Sequence, residues 1–380
     1  MKKGWFQVWV WRITTVLATI IAVVLGLRVM QSERQPDLAP WHTWAPHELN
    51  VRELEKADWQ TWLARETELF SEVDLRMREK IEPGERLPSN RYFEGSPVHP
   101  GRFAHNWNRS YTLLPAGQPR GAVVLLHGLS DSPYSLRHVA RIYAAHGYAA
   151  VGLRLPGHGT VPAGLASARW QDWRAATRLA VREAQRLAGP GKPLHIVGYS
   201  NGGALAVQYA ADAAQDSALV LPSQVVLFSP MIGLTRFARY AGIAGWPALL
   251  PRFSKSAWLE IVPEFNPFKY SSFPVNAARQ SYELTQVLDQ QFAGLADSGA
   301  LARLPPVLAF QSAVDSTVIG DALVHGLFDK LPKNGSEIVV FDVNRATPLE
   351  LLLSQSTLAR VEQMLPADPH DYRITVIGNA

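Results

Sequence analysis

The stretch of this 380-residue chain best suited to chemistry is Gly198-Tyr199-Ser200-Asn201-Gly202. A serine hydroxyl becomes a nucleophile when a sharp turn presents it to a base, and G-x-S-x-G does this when a strand enters the turn and a helix leaves it. Here the apolar run Leu194 to Val197 enters and the small-residue run Ala204 to Ala210 leaves. Gly198 and Gly202 remove the Cβ atoms that would collide where the two elements close on each other. The backbone N–H of Asn201, at the start of the helix, would face an oxyanion bound there. The plainer account is a glycine-rich turn with an incidental serine, and the flanking elements weigh against it.

A second stretch, His127-Gly128-Leu129-Ser130-Asp131-Ser132-Pro133, follows the apolar run Ala122 to Leu126. A tight turn opened by Gly128 would aim the N–H of Leu129 at the same place, and two converging donors make an oxyanion hole. His127 suits a side chain that holds this loop better than a base, and so does His158 in Leu155-Pro156-Gly157-His158-Gly159. No histidine and carboxylate spacing resembles a metal site, so no metal and no cofactor is expected.

The elements that would position these residues alternate regularly. Strands are predicted at Ala122–Leu126, Ala149–Leu155, Leu194–Val197, Gln224–Phe228, Pro306–Gln311, Glu337–Asp342 and Tyr372–Gly378. Helices are predicted at Ser135–His146, Arg169–Leu187, Asn201–Ala214 and Ile319–Leu331. Continuous apolar strands alternating with amphipathic helices indicate an α/β fold, a mostly parallel sheet covered on both faces. Between Pro230 and Pro306 the chain is too long for a simple crossover. It carries aromatics such as Phe237, Tyr240, Trp246, Trp258, Phe268 and Tyr270, which suit a cap inserted after the sixth strand when the short strands read between Arg91 and Leu114 are counted with the four before Pro230.

With 47% hydrophobic and 18% charged residues, the chain can bury a full core, so one large domain with additions is expected. The net charge of +4 is mild and no Lys/Arg block interleaves with aromatics, which speaks against nucleic acid as a partner. The absence of cysteine excludes disulfides, thiolate metal sites and a Cys nucleophile.

At the N-terminus Lys2 and Lys3 precede Trp5, Phe6, Trp9, Trp11 and Arg12, and then the uncharged run Ile13 to Leu27 is closed by Arg28. That run rises only about 22 Å as a helix, against roughly 30 Å of hydrocarbon. Extension back to Trp5 supplies the rest if Arg12 snorkels to the headgroups. A cleaved signal peptide is the rival, but residues 28–31 offer no small-x-small site. The expectation is a single-pass anchor with the N-terminus in the cytoplasm and the remaining chain outside, in the periplasm of a Gram-negative cell.

Gln31 to Pro46 suits a linker, and Asn50 with Glu53 resembles a capping box opening amphipathic helices that run to about Lys80. Their apolar faces are expected to pack on the domain, with the membrane surface as the alternative. Arg174, Arg178, Arg182 and Arg186 share one helix face, read as solvated, with anionic headgroups as the other possibility. The expected divisions are 1–30 anchor, 31–90 linker and amphipathic helices, 91–230 first part of the core, 231–304 cap, and 305–380 second part of the core.

In that order the loop at His127-Gly128, the Pro156-Gly157-His158-Gly159 turn and the serine turn resemble the α/β-hydrolase superfamily. They are most similar to its lid-bearing branch of monoacylglycerol lipases, carboxylesterases and serine aminopeptidase-type hydrolases, over about Ala122 to Val343. The resemblance implies Ser200 as nucleophile and the N–H groups of Leu129 and Asn201 as oxyanion hole. It implies Asp315, in Ser312-Ala313-Val314-Asp315-Ser316-Thr317-Val318, as the acid that orients the base.

The chemistry also requires that base, a histidine following the acid in the chain. The family places it in the loop after Ile338–Asp342, where Val343-Asn344-Arg345-Ala346-Thr347 holds none. Beyond Asp315 stand only His325, in a predicted helix, and His370, in a loop ahead of the last strand, so His370 is the candidate base. Alternatively Leu349–Leu365 is an inserted helix and Tyr372–Gly378 an added strand, with the histidine expected after it and the chain ending at Ala380 without its base. The activity expected is hydrolysis of a small-molecule carboxylic ester with an apolar acyl group, through an acyl-enzyme and at a membrane. Amide or peptide hydrolysis, acyl transfer, and a non-catalytic binding protein on the same fold remain the alternatives. A serine rather than an aspartate nucleophile argues against haloalkane and epoxide chemistry.

Overall fold

The computed structural model describes residues 2–233, 245–312, 320–341 and 370–378. At its centre is an 8-stranded sheet in the order β1-β3-β2-β4-β5-β8-β9-β10. Its strands are β1 (Tyr111–Leu113), β2 (Gly121–Leu126), β3 (Tyr148–Leu153), β4 (Leu194–Tyr199), β5 (Gln224–Phe228), β8 (Val307–Ser312), β9 (Glu337–Phe341) and β10 (Arg373–Ile377). Only β1 runs antiparallel, to β3, and every other pairing is parallel. The remaining two strands, β6 (Trp258–Glu260) and β7 (Phe273–Pro274), form a small ribbon outside this sheet.

The apolar character of the parallel strands follows from burial on both faces. Every residue of β2 is buried. Ala122, Val124 and Leu126 join one core cluster, while Val123 and Leu125 join another on the opposite face, as the period of two requires. The second face is covered by α5 (Arg137–Ala145) through Ala140. The first face carries the short α6 (Ala163–Ser167) through Leu165, then α7 (Trp170–Ala188) and α8 (Asn201–Gln215).

That face also carries a helix that the sequence pattern had assigned to the cap. Within 231–304, Val275–Ser298 is a 24-residue helix (α9) that packs Ala277, Leu284, Leu288, Phe292 and Leu295 into the core. It is the crossover between the parallel strands β5 and β8, so the stretch outside the sheet's own layers shortens to about 233–274. Within it Trp258, Phe268 and Tyr270 are buried, whereas Phe237 and Tyr240 lie outside the described residues. A last short helix, α10 (Gly320–Gly326), adds Leu323 to the same core.

The N-terminal part is bound tightly to this core. The first helix, α1 (Lys2–Glu33), is long and apolar enough from Trp9 onward to cross a membrane, a property that a signal sequence shares. The expected linker is not free chain, because α2 (Pro40–Thr43) buries Trp41 and His42. Asn50 caps α3 (Val51–Lys56) and Glu53 returns a bond to the Asn50 N–H at 2.8 Å, as expected of a capping box. From α4 (Trp59–Lys80), Trp62, Leu69 and Phe70 face inward, so these helices pack on the domain.

A buried ion cluster fastens them. Arg154, fully buried just after β3, donates to Glu66 of α4 at 2.8 Å and to both carboxylate oxygens of Glu48 at 2.7 and 3.0 Å. Burial opposes the charge, but the two carboxylates, Glu48 foremost, hold the guanidinium above its usual range. The arginine face of α7, expected to be solvated, is engaged with neighbouring elements except at Arg186, which stays exposed. Arg174 and Arg178 bond Asp212 of α8, Arg182 donates to the carbonyls of Leu54 and Ala57, and Arg186 pairs with Glu183.

Candidate active site

Ser200 sits between β4 and α8 with φ 52 and ψ −117, a conformation that L-residues rarely adopt and that costs about 1–3 kcal/mol. Surrounding bonds hold it there. Its N–H donates to the Phe228 carbonyl at 3.0 Å, and its own carbonyl accepts from Gly203 at 2.9 Å and Met231 at 3.0 Å. The turn closes only because its glycines lack side chains. A Cβ on Gly198 would lie 2.4 Å from the Gly202 carbonyl oxygen, and one on Gly202 would lie 2.0 Å from that of Leu126. Ser200 itself is half-buried, so its side chain remains reachable.

Strain concentrates around it. Among the described residues, the non-glycine positions with positive φ are Ser130, Ser200 and Ser229. They follow β2, β4 and β5, three neighbouring parallel strands, and so share the carboxyl edge of the sheet. Ligand sites of open parallel sheets lie at that edge, and backbone strain accumulates at functional sites.

The loop after β2 reaches this point. A Cβ on Gly128 would meet the Ser200 Cβ at 3.3 Å and the Tyr199 ring at 3.2 Å, so the backbone leading into Leu129 runs beside the serine. Asn201 opens α8, which leaves its N–H without an intrahelical acceptor. Its side chain points elsewhere, with Oδ1 accepting from Ser281 of α9 at 3.1 Å. Tyr270 ties the loop from outside by donating its N–H to the Ser130 carbonyl at 2.7 Å.

His127 and His158 hold loops, as expected of them. The Leu155 N–H donates to His127 Nε2 at 3.0 Å, which leaves Nδ1–H to donate to the Gly128 carbonyl at 2.8 Å. Both ring nitrogens are therefore committed, and burial drives the ring well below the usual histidine range. His158 donates from Nδ1 to the Pro156 carbonyl at 3.1 Å and is pushed down to about 3 by burial.

The other sequence-derived positions divide. Asp315 lies outside the described residues; β8 ends at Ser312, a little before it, on the carboxyl edge. His370 is not brought to Ser200. It precedes β10, whose Arg373 pairs with Glu337 at the start of β9, and β10 runs parallel with the rest. His370 therefore stands at the amino edge, four strands from β4 and about 19 Å across the sheet, stacked on Tyr372. His325, on α10, bonds Asp329 of the following turn at 2.7 Å. All 11 histidines of the chain lie among the described residues.

The remote partners of the Pro156–Gly159 turn gave no sequence signal. Glu48 accepts from the Gly157 N–H at 2.9 Å, Tyr270 donates to the Gly157 carbonyl at 3.2 Å, and Arg91 donates to the Gly159 carbonyl at 3.3 Å. All three come from segments remote in sequence.

Several known proteins resemble this chain. The family described as serine aminopeptidase, S33, matches residues 117–286. A thermostable monoacylglycerol lipase of Bacillus sp. (strain H-257) is 26% identical over 180 residues, 46% of this chain and 67% of that protein. Among solved structures, a metagenome-derived lipolytic enzyme described under LipS and LipT shares 22% identity at a TM-score of 0.47, covering 68% of this chain and 98% of its own. A soluble variant of the monoglyceride lipase from Saccharomyces cerevisiae, in complex with a substrate analog, shares 14% at 0.48, covering 67% and 90%.

Proposed function

Starting from a chain of the α/β-hydrolase superfamily, on its monoacylglycerol lipase and esterase-like branch, we propose a serine hydrolase of carboxylic esters in which Ser200 is the nucleophile. The observation that carries this is the strained Ser200 at the carboxyl edge, with the Gly128 backbone against its Cβ. The Ser200 oxygen adds to the ester carbonyl, its proton going in the end to the departing alcohol, and the Leu129 and Asn201 N–H groups receive the oxyanion. Collapse expels the alcohol and leaves an acyl-serine, which water then cleaves to the acid. Asp315 is the proposed orienting acid. Apolar acyl esters are the proposed substrates, supported by the buried aromatics of the segment before α9 and by the relative named a monoacylglycerol lipase. α1 is the proposed anchor, supported by its apolar, exposed length.

A second reading, a non-catalytic binding protein on the same fold, is favoured by the place of His370 at the opposite edge of the sheet. Fluorophosphonate labelling separates the two, since only an activated serine reacts. The full chain is compared with Ser200→Ala and His370→Ala. Labelling of the parent that Ser200→Ala abolishes establishes the nucleophile; its survival in His370→Ala removes His370 as base. A folded parent that does not label supports the binding protein.

A further inference from the structure

The carboxyl end of α1 docks on the segment that precedes α9. The covered positions on α1 are Leu25, Arg28, Val29 and Ser32, one helix face, whereas Trp9 through Val24 are exposed throughout. Ser32 Oγ lies 2.8 Å from Ser256 Oγ, and Arg28 donates to the Trp258 carbonyl. Lys255 pairs with Asp37 at 2.8 Å and donates to the Gln35 carbonyl at 3.0 Å. The domain thus grips only the last two turns of the helix, which rise about 10 Å from Leu25 to Ser32.

A helix whose surface from Val10 to Val24 is largely apolar and exposed is matched by hydrocarbon, and here the apolar run ends at Leu27 and Arg28. The docked segment is therefore held at that boundary. In it Trp246, Leu249 and Leu250 are 55%, 85% and 60% exposed, followed by the exposed Arg252. Tryptophan, leucine and arginine together suit the zone where headgroups meet acyl chains.

We propose that the turn from Trp246 to Leu250 inserts into the lipid bilayer, in the same leaflet boundary as the carboxyl end of α1, so that the protein holds the membrane at two points. The proposal rests on α1 as the anchor, and it adds a fixed orientation. The same segment continues to Tyr270, bonded to Ser130 in the loop beside Ser200. The face of the domain that leads to the serine is thereby turned toward the lipid.

The test uses the natural absence of cysteine. Single variants Leu249→Cys, Ile20→Cys and Ile142→Cys of the full chain carry an environment-sensitive fluorophore in phosphatidylcholine and phosphatidylglycerol vesicles. Ile142, exposed on α5, reports water. Nitroxide placed near the lipid headgroup should quench the probe at 249 about two-fold or more and leave that at 142 unchanged, with 20 quenched by deeper nitroxide. Quenching at 20 but not at 249 overturns the inserted turn while keeping the anchor. Quenching at neither overturns both. The exposure of Leu249 makes loss of folding an unsuitable explanation, and circular dichroism of each variant checks it.

Discussion

Gly128 and Ser200 are packed so closely that a Cβ on the glycine would lie 3.3 Å from the Cβ of the serine. The loop after β2 and the turn after β4 therefore lie side by side, with little room between them for a further side chain.

Gly128→Ala should fold, because the crowding involves side-chain atoms that can yield a few tenths of an ångström, yet it should slow Ser200 labelling about ten-fold or more by displacing the Leu129 N–H. Gly202→Ala should not fold, since its Cβ would stand 2.0 Å from the Leu126 carbonyl oxygen. Solubility, circular dichroism and labelling rates check both. A well-folded Gly202→Ala variant would contradict the described turn.

Relief of the strain at residue 200 is measurable apart from chemistry. Glycine tolerates φ 52 and ψ −117, so Ser200→Gly should raise stability by about 1 kcal/mol, while Ser200→Ala, which keeps the strain, should leave it nearly unchanged. Denaturant midpoints of the parent and the two variants decide it. Equal midpoints for glycine and alanine would show that the turn stores no strain.

Removal of Glu66 tests the ion cluster that fastens α4. The carboxylate accepts from the Ser110 N–H at 3.0 Å, the Ser110 hydroxyl at 3.0 Å and Arg154 Nε at 2.8 Å. Glu66→Ala leaves Arg154 Nε and the Ser110 N–H buried without their acceptor and should cost about 3 kcal/mol in urea unfolding, more than Glu66→Gln, which keeps a hydrogen-bond acceptor. A cost under about 1 kcal/mol would mean that Glu48 alone satisfies Arg154.

Acid should destabilise the protein through its buried neutral imidazoles. Burial lowers His42 to about 4 and His158 to about 3, and places His127 well below its usual range. The unfolded chain takes up protons near pH 6.5 and the folded one does not, so stability is full above that pH and falls below it. Each ring contributes a slope of about 1.4 kcal/mol per pH unit, down to its folded value. Unfolding free energies from pH 7.5 to 5 should show the fall, and His42→Gln should make it shallower. A flat profile would require all three rings to take up protons in the folded state as readily as in the unfolded chain.

Each strand predicted from the sequence is present, because strands buried on both faces, such as β2 and β4, leave uninterrupted apolar runs. α9 was hidden among prolines and aromatics, although Ala277, Leu284, Leu288, Phe292 and Leu295 keep a helical spacing that could have disclosed it. The contacts of Arg154 with Glu48 and Glu66 could not be read, since they join residues 106 and 88 positions apart with no local pattern. The place of His370 was readable in principle. If Tyr372 to Gly378 is a further parallel strand, the residues before it must lie at the amino edge, away from Ser200.

The junction behind α1 has a mechanical consequence. The helix ends at Glu33, Lys255 clamps Gln35 and Asp37, and Trp41 is already in the core. Only a short connection separates helix from domain, so α1 is joined as a strut more than as a leash. A tilt or pull on α1 would act first on Ser256 and Trp258, in the segment whose Tyr270 donates to the Ser130 carbonyl.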